Sequence, residues 1–185
     1  EATWVEAPPT YIDNYVEASA WDGSTIAVVR VAGREEPLTL RWSIGDEAWT
    51  IGAPIPLEPR GMSASVGSPR GIVVWGGTTS SYATEAATPE PGDAGARDDG
   101  AFYDLAGDEW HVMAPGPLDA RAWPDAVWLG DEVILGGGAN GFDTDQLPVD
   151  PAIAAYDVDE GSWRVLDALA GVAEQNRRGG GVNVF

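Results

Sequence analysis

Apolar residues along this chain fall in short runs that end in glycine. The stretches "GIVVWGG", ending at Gly77, and "EVILGGG", ending at Gly138, each hold several consecutive apolar positions rich in Val and Ile. Such runs bounded by glycine predict buried β-strands. Ahead of them stand "MSASV", after Arg60, and "AWPDAV", after Arg121, each predicting an earlier strand. Behind them, after a stretch of variable length, come "AFYDLAGDEWHVM" and "AAYDVDEGSWRVL". Each of these predicts two strands joined by a tight turn at "AGDE" or "DEGS", where Gly and Asp supply turn conformations. The predicted unit is a four-stranded antiparallel meander, with strands a to d in chain order.

The unit recurs with fixed internal spacing. Tyr103 precedes Trp110 by seven residues, as Tyr156 precedes Trp163 and Trp42 precedes Trp49. Trp49 precedes Arg60 by eleven, as Trp110 precedes Arg121. Gly76 follows Arg60 by sixteen and Gly136 follows Arg121 by fifteen, and the tryptophans repeat with periods of 61 and 53 residues. A period near ~50 with four strands and a glycine pair marks a repeat architecture.

An arginine before strand a, Gly-Gly after strand b, a tyrosine in c and a tryptophan in d resemble the kelch-type blade of a β-propeller. The fold class implied is all-β: a kelch-like propeller segment of about three four-stranded antiparallel blades plus partial blades at both ends. The whole chain, 1–185, reads as one such segment. Residues 1–10, around Trp4 in "TWVEAPP", read as strand d of a preceding blade. Blades are expected at 15–58, 60–118 and 121–170, and 177–185 reads as the start of a further blade. The first unit departs from the pattern, with Val29 and Arg30 where the glycine pair is expected and Trp42 in the tyrosine position. The resemblance implies that the glycine pair relieves crowding at the end of strand b, and that tyrosine and tryptophan fill the wedge between adjacent blades. It also implies that Arg60, Arg121 and Arg177 line one face near a central channel. Three meanders fall short of the four to eight blades of a typical ring. The expectation is therefore a fragment, or an arc that another protein chain or missing blades complete.

Because strands alternate in direction, the b to c and d to a connections share one face. The long segments from Thr78 to Gly100 and from Ala139 to Pro151 are both b to c loops. Connections well beyond ~12 residues are commonly functional or disordered. The contact candidates on that face are Tyr82, Asp98 and Asp99 in the first loop and Phe142, Asp143 and Asp145 in the second, joined by the arginines already named, whose alternative role is to pair with the acidic loops. A carboxylate group at Asp143, Asp145 and Asp150 raises Ca²⁺ as a cofactor, but "DTDQLPVD" lacks the Gly and the Glu of an EF-hand loop, so no cofactor is expected.

Charge narrows the partners. The chain has 10 arginines and no lysine against 30 acids, a formal net charge of -20. Binding nucleic acid or an anionic membrane surface needs clustered cations, so neither partner is expected. No apolar run approaches the ~20 residues of a membrane span, so no membrane insertion is expected. Cysteine is absent, which removes disulfides and thiolate metal sites. The compartment stays open, with a secreted or extracellular setting as the favoured expectation. His111 is the only histidine and directly follows Trp110 on a strand, and no serine lies in a nucleophile elbow, so no catalytic residue is assigned. The copper and cysteine-linked tyrosine chemistry found on some kelch-like propellers is beyond this segment alone. The expected function is a protein or peptide interaction module that binds through the long b–c and d–a loops. The alternative is part of the propeller of a secreted carbohydrate-active or oxidase-like enzyme whose catalytic residues lie outside this segment.

Overall fold

The computed structural model describes residues 16–32, 36–79, 95–138 and 152–166. These form strands β1 (Ala18–Trp21), β2 (Thr25–Arg30), β3 (Leu38–Ser43), β4 (Ala48–Ile51), β5 (Ala64–Ser68), β6 (Gly71–Trp75), β7 (Gly100–Asp104), β8 (Glu109–Val112), β9 (Asp125–Leu129), β10 (Glu132–Gly136), β11 (Ala154–Asp157) and β12 (Ser162–Val165). They make three four-stranded antiparallel sheets, each a meander in chain order, and no helix occurs among the described residues. Local chemistry sets this topology, since short turns favour pairing of consecutive strands. Residues 1–10 and 177–185, with Trp4, Arg177 and Arg178, lie outside the described residues.

The seven-residue spacing is a hairpin register. Trp42 stands opposite Trp49, Tyr103 opposite Trp110 and Tyr156 opposite Trp163. Their ring centroids lie 5.4, 5.2 and 5.0 Å apart. The turn between them places the second residue before each tryptophan in the left-handed region: Glu47 at φ 49, Asp108 at φ 52 and Gly161 at φ 64.

The three sheets stack face to face, and this explains why β6 is buried at all five positions. Ile72, Val74 and Tyr103 pack with Ala18, Ala20, Val29 and Leu57 of the first unit. Val73, Trp75 and Phe102 point the other way and pack with Val133, Leu135, Ala154 and Tyr156 of the third. The tryptophans close these seams. Trp110 packs against the first of these clusters and donates its indole N–H to Thr39 Oγ1 at 3.0 Å. Trp163 donates to the Ala114 carbonyl at 2.7 Å and meets Trp75 edge-on at 6.3 Å. A chain of polar contacts fastens the first seam: Arg41 Nη1 donates to the Tyr103 hydroxyl at 2.9 Å, and that hydroxyl donates to Asp108 Oδ1 at 2.7 Å. Arg70 fastens the second by bonding Asp131 and Asp159.

The leading strands β1, β5 and β9 lie side by side at one edge of the stack. At Gly67 a Cβ would sit 1.7 Å from the Ser19 carbonyl oxygen, so β1 and β5 approach backbone to backbone. The trailing strands β4, β8 and β12 are largely exposed.

Register corrects one part of the sequence reading. Ile72 pairs with Tyr103 and Val133 with Tyr156, which makes Gly137, not Gly136, the counterpart of Gly76. Each arginine then stands sixteen residues before its glycine, and each guanidinium donates to that glycine's carbonyl. The pairs Gly76–Gly77 and Gly137–Gly138 have φ of 68, 90, 67 and 82, a region open to glycine at no steric cost. In the first unit Ile26 pairs with Trp42, so Arg30 and Val31 stand at the glycine positions instead of Val29 and Arg30.

Candidate functional site

Two connection types leave one end of the stack: those from the second to the third strand of each sheet, and those from one sheet to the next. The base of the long β6–β7 connection is built into the structure there. Thr78 pairs with both Gly61 and Ala96. The Arg97 amide donates to Gly77 O at 2.9 Å, and the Arg121 amide to Arg97 O at 3.1 Å. The Arg97 side chain bonds Glu58 Oε2 at 2.8 Å.

The predicted arginines lie beneath this end. Arg60 is 1% exposed and Arg121 is buried as well. Each donates its Nε to the carbonyl two residues before it, Arg60 to Glu58 at 3.1 Å and Arg121 to Asp119 at 2.9 Å. Arg60 also grips the Asp99 carboxylate with two bonds of 2.6 and 3.1 Å. Arg121 lies over the Trp75 ring, 6.0 Å from its centroid. These guanidiniums tie the sheet-to-sheet connection to the end of the second strand, and burial withholds them from an approaching partner. Asp98 and Asp99 are exposed at the loop base. Burial pushes the Asp99 carboxyl up, but the hydrogen bonds and charge of Arg60 outweigh it and hold the group below the usual carboxylate range. Tyr82, Phe142, Asp143, Asp145, Asp150 and Arg177 lie outside the described residues. Among the described residues no group of three or more His, Cys, Asp or Glu is placed to hold a metal ion, and no helix is long and apolar enough to cross a membrane. His111 is exposed on β8 with its ring near Phe102.

The same end carries a cleft of about 550 Å³, lined by Val16, Glu17, Ala32, Met62, Ser63, Ser65 and Trp123. Val16, Met62 and Trp123 are one position of the repeat seen three times, each two residues before the strand residue paired to Val29, Trp75 or Gly136. Val16 is 52% and Trp123 45% exposed. Met62 (φ 59) and Trp123 (φ 52) are left-handed, a conformation uncommon for residues other than glycine. Such strain concentrates at functional sites. Among the described residues of the lining, Glu17 is the one charged group. Its Oε1 accepts from the Ala32 amide at 2.7 Å and its Oε2 from the Val31 amide at 3.3 Å. Burial pushes its carboxyl up, and the two amides oppose the shift only in part.

Chemically, the described lining brings the Val16, Met62 and Trp123 side chains together with one carboxylate and two hydroxyls, and its exposed surface is mainly polar. The sequence reading passed over it. The available signal was the pair "RGM" and "RAW", a large apolar residue two places after each repeat arginine.

No family profile matches the chain, and no curated protein matches it. Solved structures do match, among them that of YjhT, with a TM-score of 0.56 at 15% identity. The match covers 86% of this chain and 53% of the other, so the chain spans about half the length of that neighbour. At this identity the likeness concerns the fold alone: an all-β stack of four-stranded antiparallel sheets.

Proposed function

We propose that this chain is a segment of a kelch-like β-propeller that serves as an interaction module, holding a protein or peptide segment against the end that bears its long connections. The observation that carries this reading is the cleft. Its rim takes Val16, Met62 and Trp123 from the same repeat position of three successive sheets and leaves them accessible, two of them in a costly backbone conformation. A large exposed aromatic beside a polar wall is the composition of an interface anchor.

The propeller reading draws support from the outer face of the third sheet. Val127 on β9 occupies the position of Val66 on β5. Val66 packs against the third sheet, whereas Val127 and its neighbour Leu129 are exposed. A further sheet of the same kind, from this polypeptide or another chain, is the cover that the repeat supplies.

A second reading keeps the cleft but assigns it to the propeller of a secreted carbohydrate-active or oxidase-like enzyme, with catalytic residues on other segments. The half-buried Glu17 carboxyl in the same cleft as an exposed indole is the observation that favours it. Selection from a displayed peptide library separates the two. Under the interaction reading, peptides are enriched, and the enrichment is lost in a Met62→Ala/Trp123→Ala variant and kept in Ile44→Ala at the opposite end. A library from which nothing is enriched, beside saccharides that bind through Trp123, overturns it.

A further inference from the structure

Resting on the interaction reading, we infer that the cleft receives an arginine or lysine side chain of the partner, with its aliphatic stem across Met62 and Trp123 and its cationic head at Glu17. Three observations converge on a cation.

The first is the chemistry of the lining. Among the described residues of the lining, Glu17 is the one that carries a charge, and that charge is negative. An ionised carboxylate offers about four acceptor sites. The amides of Val31 and Ala32 use one on each oxygen, so each oxygen keeps capacity for a further donor. Those amides also fix the carboxylate in place, so little rotamer freedom remains to be lost when a ligand arrives.

The second is the shape of the rim. An arginine or lysine side chain is an apolar stem with a charged tip, and such side chains lay their stems along apolar surface. Trp123 adds an indole face, the aromatic surface that attracts cations most strongly. The Ser63 and Ser65 hydroxyls, 3.4 Å apart, complete a wall that accepts as well as donates.

The third is the surrounding field. Among the described residues, Arg41, Arg60, Arg70, Arg97 and Arg164 are each paired with an acid of this chain. With 30 acids to 10 arginines overall, the acids left over dominate the potential. Such a field raises the encounter rate of cationic partners.

The test uses the full chain labelled with ¹⁵N and follows the Trp123 indole N–H. Four probes are titrated: a Gly/Ser nonapeptide with a central arginine, the same peptide with citrulline, the same with glutamate, and a neutral disaccharide. The expected result is a saturable indole shift with the arginine peptide, weakened about tenfold or more by citrulline, which keeps the shape but removes the charge. Glu17→Gln should bring the affinities for arginine and citrulline peptides together. The citrulline comparison needs no substitution in the protein, so it remains decisive if Glu17→Gln misfolds. Equal affinity for the two peptides, a shift with the disaccharide alone, or no shift with any probe overturns the inference. Peptides without basic residues that the library selects through Met62 and Trp123 would overturn it too, while leaving the interaction reading in place.

Discussion

The Trp123 amide donates to the Met62 carbonyl at 2.7 Å, joining two residues that hold the same repeat position and the same left-handed backbone. The second sheet thereby fixes where the third begins, and both side chains meet the same cleft. A left-handed position favours glycine, yet the chain places large apolar residues there.

A substitution series at Met62 measures what that choice costs. Met62→Gly is expected to stay within about 1 kcal/mol of the unaltered protein, since relief of backbone strain offsets the lost packing of a half-buried side chain. Met62→Val puts a β-branched residue in the left-handed region and is expected to be the less stable of the two by about 1 kcal/mol or more. Urea unfolding gives the order directly, and a Val variant as stable as the Gly variant would remove strain from the account.

The clamp between Arg60 and Asp99 predicts an asymmetric response. Asp99→Ala leaves a buried guanidinium with backbone carbonyls as its remaining partners, an expected loss of about 2 kcal/mol. This sits below the usual range for a broken buried ion pair because the Asp99 side chain is 48% exposed. Amide hydrogen exchange at Thr78 and Arg97 should quicken in that variant, because Asp99 anchors the strip to which they belong. Unchanged exchange there would separate the clamp from the loop base.

Trp110 and Tyr103 predict a graded loss at the first seam. Trp110→Ala empties the space beside Tyr103 and strands the Thr39 hydroxyl, for an expected loss of about 3 kcal/mol. Tyr103→Phe keeps the ring but removes the hydroxyl between Arg41 and Asp108, for about 1 kcal/mol. Denaturant melts test both, and a loss below about 1 kcal/mol for Trp110→Ala would place that tryptophan outside the seam.

Gly67→Ala should be disproportionately damaging. The added methyl would meet backbone atoms of Ser19, which cannot swing aside as a side chain can, so β1 and β5 must separate. An expected loss of about 3 kcal/mol exceeds what one methyl does on an open strand. Thermal unfolding compares it with Gly45→Ala, where a Cβ meets nothing within 4 Å.

Acid stability follows from the carboxylates at the seams. Burial raises Asp108, but the Tyr103 hydroxyl, the Ala53 amide and Arg41 outweigh it and hold it below its ordinary value. Asp99 is held low in the same sense. A carboxyl with a lowered folded pKa is less protonated in the folded than in the unfolded state. Its stabilisation is therefore full above about pH 4 and is lost as pH falls through the folded value. Glu17, shifted upward, contributes the opposite slope, lowering stability as pH rises from its unfolded to its folded value. Urea midpoints should fall below about pH 4, and less steeply in Asp108→Asn than in the unaltered protein.

How much of this was legible in the chain depends on how far apart the interacting groups lie. The meanders were readable because they are local: "YDLAGDEW" holds a strand, a turn and a strand, so Tyr103 and Trp110 meet through a short turn whatever the rest of the molecule does. The apolar run "GIVVW" likewise announced a strand covered on both sides. The position of the glycine pair in the third sheet was not readable. Three consecutive glycines, Gly136 to Gly138, look alike in sequence, and the carbonyl that Arg121 reaches identifies which of them matches Gly76.

The cleft belongs wholly to the tertiary structure. Val16, Met62 and Trp123 are separated by whole sheets of chain, and they come together because β1, β5 and β9 pack side by side. That Arg60 would pair with an acidic loop was readable from the sequence, but its burial was not, since depth depends on how the sheets stack around it. Hydrophobic periodicity and turn chemistry act over a few residues and specify strands and hairpins. The direction of a side chain at the end of a sheet depends on backbone angles and neighbours that exist only once the sheets have stacked.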